Sequence, residues 1–161
     1  MHQLTLFVTG HKGFETLLFH EVRAILKDCP AQLVKRYGGV EVKGTLECLY
    51  RLCLYSRLAN RVFHELASAD TEDDASLYQA VYAIDWSQHL DARSSMAVSA
   101  TLSSSNLNHS QYVALKTKDA IVDQLRERSG SRPVVERSQP DLQIHVNIHH
   151  DKASISLDLS G

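Results

Sequence analysis

The sequence predicts an α/β chain of the α+β kind, in which an N-terminal ferredoxin-like subdomain is followed by a second α/β subdomain that closes on a β-hairpin. Three observations carry the prediction. Residues 4–68 alternate strand and helix signals in the order β-α-β-α-β with one helix per crossover. The acidic run Asp70-Thr71-Glu72-Asp73-Asp74 interrupts that order, after which strand and helix signals start again. Near the end, Leu142, Ile144, Val146 and Ile148 alternate with Gln143, His145, Asn147 and His149, and Ile155, Leu157 and Leu159 repeat the period of two.

Each element has its own signal. LTLFVTG, residues 4–10, alternates as a strand, and Gly10 and Gly13 bracket a turn into a helix with Phe14, Leu17, Leu18, Val22, Ile25 and Leu26 at helical spacing; Cys29-Pro30 stops it. AQLVKRY and GGVEVKG, residues 31–44, read as a strand pair pivoting on Gly38-Gly39. Thr45 suits the cap of a second helix whose stripe is Leu46, Leu49, Tyr50, Cys53 and Leu58, and VFHELAS, residues 62–68, returns as a strand. The acidic run, polar and without periodicity, reads as a solvated loop or linker. Ser76 is then placed to cap a short helix with Leu77, Ala80, Val81 and Ile84 inward, followed by Trp86 and His89-Leu90. SMAVSATLS, residues 95–103, is a strand; a polar loop leads into a long helix from residue 110 to about 128, ended by Gly130 and Pro133. The terminal hairpin turns at His150-Asp151-Lys152.

Composition bounds the function. With 43% hydrophobic and 22% charged residues in 161, the chain is of ordinary globular make-up, and a single body of this size buries about 70% of its unfolded surface. No apolar run approaches the ~20 residues that cross a bilayer, so no membrane partner is expected. The start, MHQLTLFVTGHKGFE, lacks the pattern of a secretory signal, which makes the cytoplasm the expected location. Cys29, Cys48 and Cys53 form no C-x-x-C pair and read as reduced, mostly packed thiols. A net charge of −2 removes any bulk electrostatic case for nucleic acid, but residues 1–66 carry +3 and residues 67–161 carry −5, so local basic patches remain.

No catalytic constellation is visible. The seven glycines never form G-x-G-x-x-G or G-x-x-x-x-G-K, no serine sits in G-x-S-x-G, and the Asp/Asn-Pro-Pro-aromatic motif of amino-group methyltransferases is absent. His145 and His149, with His150 and Asp151, form the best histidine cluster, yet four residues along a strand separate the first two by about 13 Å. Exposed hairpin histidines are the ordinary reading, and no metal is expected.

The long helix offers more. With Ile121 at the centre of its buried face, Ala114 and Leu125 join it, while Tyr112, Lys116, Asp119, Asp123 and Arg126 point away at 100° per residue. The plain alternative is a solvated face laced by Lys116–Asp119 and Asp123–Arg126 pairs. Asn106, Asn108, His109 and Ser110 at the helix start suit a phosphate, because the helix N-terminus adds unpaired N–H groups. Arg128, Arg132 and Arg137 extend a basic path, and in the first half Lys12, Lys35, Arg36, Lys43, Arg57 and Arg61 offer another, with Arg57 and Arg61 expected on one helical face. Sparse cations among polar loops fit RNA backbone contact better than base-edge reading of a DNA duplex.

Three segments together resemble a known family. GFETLLFHEVRAIL (13–26), SQYVALKTKDAIVDQLRE (110–127) and RPVVERSQPDLQIHVNIHHDKASISLDLSG (132–161) are similar to the N-terminal region of bacterial 23S rRNA guanine-N2 methyltransferases, which pairs a ferredoxin-like domain with an RNA-binding THUMP domain. The resemblance covers essentially the whole chain. It implies a ferredoxin-like domain at 1–68 and a THUMP domain with a mixed sheet at 69–161, the family profile starting as early as about residue 45. It places Ser110, Gln111, Lys116, Lys118 and Asp119 on the family's characteristic helix, and Arg132, Pro133, Pro140 and Asp141 in its loop. The contacts expected with 23S rRNA are Lys116, Lys118, Arg126, Arg132, Arg137, Asn108 and Gln111, with Lys12, Lys35, Arg36, Arg57 and Arg61 as a second group; Lys118 must snorkel outward from its helix.

The resemblance also bears on the final strand, which carries apolar side chains almost to the last residue. A fragment is expected: in such enzymes this strand leads to a methyltransferase domain that binds S-adenosylmethionine. That domain, in the same polypeptide, is the expected second partner, and the chain itself is expected to be non-catalytic and without a cofactor. A THUMP module of a tRNA-modifying enzyme, a thiouridine synthase or tRNA methyltransferase, is the alternative. A stand-alone ferredoxin-like enzyme is the third reading, and it lacks convergent catalytic groups.

Overall fold

The computed structural model describes residues 3–90, 94–103, 107, 109–130, 134–136 and 139–159. Two compact units make up the chain: one runs to Glu65 and includes the segment from Asp158, the other is Leu66–Leu157. No helix among the described residues is long and apolar enough to cross a membrane.

The first unit runs β1 (Leu4–Thr9), α1 (Glu15–Ile25), β2 (Gln32–Arg36), β3 (Gly39–Gly44), α2 (Leu46–Tyr55) and β4 (Arg61–Asp70), the last of which crosses into the second unit. Its strands stand in the order β2-β3-β1-β4, every neighbour antiparallel. That order and the two crossover helices are the split βαβ arrangement the sequence predicts. The alternate residues Leu6 and Val8 of β1 and Val40 and Val42 of β3 are fully buried, forming one core with Leu18 and Val22 of α1 and Leu49 and Leu52 of α2. At Gly39 there is no room for a side chain, because a Cβ would sit 2.2 Å from the Val8 carbonyl oxygen. Backbone cannot yield as a side-chain tip can, so Gly39→Ala is expected to destabilise this unit by about 3 kcal/mol or more, read by denaturant unfolding.

Both helices bury less than their apolar content suggests. Phe14, Leu17, Leu46 and Tyr50 are all more than half exposed, and the inward residues of α2 are Cys48, Leu49 and Leu52. The helix also stops at Tyr55, so Leu58 and Arg57 lie in the loop beyond it and Arg61 opens β4. Glu21 explains the stop. Its carboxylate accepts the Ser56 hydroxyl and the N–H groups of Arg57 and Leu58, which turns that backbone away from a further helical turn.

The acidic run is a short loop with exposed Asp70, Glu72 and Asp73, but it is anchored at both ends. Asp70 ends β4, Thr71 is fully buried with its N–H on the Asp151 carbonyl at 2.7 Å, and Asp74 opens α3 (Asp74–Tyr82). Asp73, not Ser76, is the N-cap: its carboxylate accepts the Ser76 N–H at 2.8 Å while the Ser76 hydroxyl accepts the Asp73 N–H at 3.2 Å. Ser76 is the third residue of the helix and completes a capping box. The same bonds from Ser76 hold the Asp73 carboxyl below its ordinary value.

The second unit continues with a 3-10 turn (Trp86–Gln88), β5 (Ser95–Ser103), α4 (Ser110–Ser129), β6 (Val134–Val135), β7 (Leu142–His149) and β8 (Lys152–Asp158). Its strands follow the order β8-β7-β5-β6, with β5 parallel to both β7 and β6. The β7–β8 connection is the two residues His150 and Asp151, at φ 51° and 60°, the left-handed pair that a tight hairpin turn demands even though neither is glycine. Trp86, Met96, Ile121, Ile144, Ile148 and Ile155 are buried to 0% exposure in one core.

Candidate nucleic-acid interface

α4 is the element that carries most of the expected contacts. Its buried band comprises Val113, Thr117, Ala120, Ile121, Val122, Gln124 and Leu125, wider than the Ile121-centred face the apolar residues alone define, while Ala114 is only half-buried. Two polar residues widen it. The Thr117 hydroxyl donates to the Val113 carbonyl at 2.8 Å, and Gln124 accepts the Trp86 N–H at 2.9 Å while donating to the Tyr82 and Ile84 carbonyls. Apolar periodicity counts such residues as solvent-facing, which is why the band is hidden in the sequence.

The remaining face of α4 is largely occupied by α3. Tyr112 donates to Asp74 at 2.8 Å, Tyr78 to Asp123 and Tyr82 to Glu127. The Asp123 hydrogen bond, with desolvation behind it, pushes the Tyr78 hydroxyl up to about 12. Lys116 stands over the Tyr78 ring at 5.6 Å from its centroid, and Asp119 pairs with Lys118 at 3.1 Å. The expected Lys116–Asp119 and Asp123–Arg126 pairs are therefore replaced: Asp119 turns to its neighbour Lys118, and Asp123 is taken by Tyr78 of α3, which a reading of one helix cannot see. Arg126 is exposed, and Arg128 reaches Asp85 at 3.1 Å.

Lys116 and Lys118 diverge. Positions two apart on a helix are rotated by about 160° from each other, and here Lys116 faces α3 while Lys118 lines a cleft on the opposite flank. That cleft, about 600 Å³, runs between α4 and β5. Ser110, Gln111 and Lys118 line one side of it, Ser99 and Gln143 contribute from the strands, and Val135 from β6. Gln111 and Lys118 are thus brought together; Ser99 and Gln143 are the residues the sequence reading missed, although both occupy the polar phase of an alternating strand. Asn108, Arg132 and Arg137 lie outside the described residues, as do Asn106 and Pro133.

The second group of cations converges at one end of the first unit. Thr9 lies opposite both Gly39 and Arg61, and Arg36 lies opposite Gly39, so the ends of β1 and β2 meet the starts of β3 and β4. Lys12 in the β1–α1 loop, Lys35 and Arg36 at the end of β2, Arg57 in the α2–β4 loop and Arg61 at the start of β4 all fall there. Their charges are not equally available. Arg36 makes two bonds to Glu41 at 3.2 and 3.0 Å, and Arg61 pairs with Asp158, whose side chain is 2% exposed. Lys12 stands over Tyr37, Lys35 donates to Thr16 at 3.2 Å, and Arg57 is exposed.

The histidines of β7 face hydroxyls of β5. His145 meets Ser99 at 2.9 Å and Thr101 at 3.2 Å, His149 meets Ser103 at 2.6 Å, and the His149 and His150 rings are 4.0 Å apart. Among the described residues no group of three or more His, Cys, Asp or Glu is placed to hold a metal ion. Cys48 is buried, Cys29 half-buried and Cys53 exposed, all as free thiols.

A ferredoxin-like unit of four antiparallel strands, followed by an α/β unit that ends in a hairpin, defines the class of architecture. The chain belongs to the THUMP domain family, whose model matches residues 71–158, and the RlmL ferredoxin-like domain model matches residues 5–63. It is 46% identical over 157 residues to the ribosomal RNA large subunit methyltransferase K/L of Pseudomonas aeruginosa, a match covering 97% of this chain and 21% of that protein. The chain thus spans about a fifth of the length of that relative. In fold it is similar to SMU.472, solved complexed with SAH (TM-score 0.83, 24% identity, covering 98% of this chain and 42% of that one). It is similar also to a 4-thiouridine synthetase solved with RNA and bound ATP (TM-score 0.62, 11% identity, covering 98% and 41%).

Proposed function

We propose that this chain is the RNA-binding portion of an rRNA methyltransferase, and that it positions 23S rRNA for N2-methylation of a guanine by a methyltransferase domain in the same polypeptide. The observation that carries this reading is the 46% identity, extending over 97% of the chain, to a large-subunit rRNA methyltransferase of which it covers only 21%. The gathering of Lys12, Lys35 and Arg57 at one end of the first unit, and of Gln111 and Lys118 in the α4–β5 cleft, supports it from the geometry. Phosphate contacts of this kind fix register without reading bases. The ferredoxin-like part is assigned to residues 1–68 and the THUMP part to 69–161.

S-adenosylmethionine is the methyl donor this reading implies. The residues present do not fit it: none of the seven glycines stands in a cofactor-cradling motif, and no Asp/Asn-Pro-Pro motif holds a target amine. The cofactor and the chemistry belong to the proposed methyltransferase domain. A base stacked in a helix must be turned outward before its amino group is reached, so the task left to this chain is to hold the surrounding RNA still.

The test is a competition titration in which the chain binds a labelled 23S rRNA hairpin and unlabelled tRNA is added. The proposal expects the rRNA to be retained at equimolar tRNA. Displacement at tRNA concentrations below that of the rRNA assigns the chain to a tRNA-modifying enzyme instead.

A further inference from the structure

Tyr37 is 81% exposed, the highest value among the described large apolar side chains. It sits in the two-residue connection Tyr37-Gly38 between β2 and β3, where Gly38 takes the positive φ of 82° that the turn needs. Nothing in the turn requires an aromatic ring; small polar residues serve such positions at less cost in exposed apolar surface. The tip that carries it is fixed in place. Gly10 donates its N–H to the Gly38 carbonyl at 3.2 Å, which ties the hairpin to the β1–α1 loop.

That loop delivers Lys12, whose ammonium lies 5.6 Å from the centre of the Tyr37 ring. A ring that remains 81% exposed keeps most of its surface, including the face away from the lysine, open to solvent. Lys35, fastened to Thr16 at 3.2 Å, and Arg36, still 58% exposed beside Glu41, flank the same turn. An open aromatic face on a rigid hairpin, ringed by cations, matches the chemistry of an unpaired nucleotide: a base offers a π-face to the ring and its phosphates offer charge to the lysines. A protein partner would meet the same apolar ring but would have to neutralise two flanking lysines, Lys12 and Lys35, as well.

We propose that Tyr37 is a stacking platform for an unpaired RNA base, with Lys12 and Lys35 holding the phosphates on either side of it. This inference rests on the RNA-binding reading above and adds to it the kind of RNA element recognised: a bulge or single-stranded end beside a helix. It also divides the labour, since the cations near Tyr37 set affinity for any backbone while the ring selects for a base that is free to stack.

The probe is an rRNA hairpin carrying 2-aminopurine at a bulged position, compared with the fully paired hairpin of the same length. Wild-type chain is expected to quench the 2-aminopurine on binding. Tyr37→Phe keeps the quenching; Tyr37→Ala loses it and binds the bulged hairpin about tenfold or more weakly, a clearly larger loss than for the paired hairpin. Because the side chain is exposed, circular dichroism and thermal melting of both variants are expected to match wild type. Equal affinity and equal quenching in Tyr37→Ala overturn the platform and leave the RNA-binding reading standing. Failure of the wild-type chain to bind either hairpin overturns both.

Discussion

Replacing Gln124 with leucine lowers the stability of the second unit by about 3 kcal/mol or more in denaturant unfolding, although leucine is the better match for an apolar helix face. Gln124 is 0% exposed and joins three backbone groups at once, accepting the Trp86 N–H and donating to the Tyr82 and Ile84 carbonyls. Those groups belong to the segment that leaves α3 and enters the 3-10 turn, where no helical ladder satisfies them. An apolar replacement leaves the buried Trp86 N–H and the half-buried Tyr82 and Ile84 carbonyls without Gln124, and each unsatisfied buried group costs about 1–3 kcal/mol. The effect reaches the candidate interface, because the same turn seats Trp86 against α4 and so fixes the helix that presents Gln111 and Lys118. A loss below about 1 kcal/mol shows that water reaches these groups and that Gln124 is not the clamp it is described to be.

Neutralising Lys12, Lys35 and Arg57 together weakens RNA binding for all sequences alike and lowers the slope of log affinity against log salt by about 2 to 3 in magnitude, close to 0.7–0.9 for each phosphate that no longer meets a cation. Arg61 and Arg36 are left out of this set on structural grounds. Removing Arg61 takes its cation from Asp158, whose side chain is 2% exposed, and so disturbs the fold as well as any RNA binding; Arg36 is already paired with Glu41. Neutralising Lys116 gives a smaller change, because its side chain is half-buried against α3, whereas Lys12, equally close to its own ring, is exposed. An unchanged slope in the triple variant moves the phosphate contacts to α4 and its cleft.

The sequence reveals the order of elements well because strands and helices here keep their periods. The alternation of Leu142 to Ile148 and the Gly38-Gly39 pair define both hairpins, and Gly130 closes α4. What it conceals are competitions between elements. Glu21 ends α2 from another helix, and the α3 tyrosines draw Asp123 and Glu127 away from neighbours on their own helix. The acidic run shows the same limit: a count of charges reads Asp70–Asp74 as a solvated loop, and Asp70, Glu72 and Asp73 are exposed, but it does not show that Asp73 caps α3, that Asp74 opens it and that Thr71 is buried. The site is divided likewise. Helical spacing alone sets Lys118 close to the buried face, and the family resemblance is what singles out Gln111 and Lys118, which line one cleft; the gathering of Lys12, Lys35 and Arg57 depends on a sheet register that pairs residues more than twenty positions apart in the chain.

The central claim, that this chain holds structured rRNA through its phosphates, is tested most directly by titrating the chain against a 23S rRNA hairpin at two salt concentrations. The account predicts binding that weakens steeply as salt rises, with a slope of about −2 or steeper from Lys12, Lys35 and Arg57 alone and steeper still with any contribution from Lys118. Absence of binding at low salt, or an affinity that does not change with salt, contradicts it.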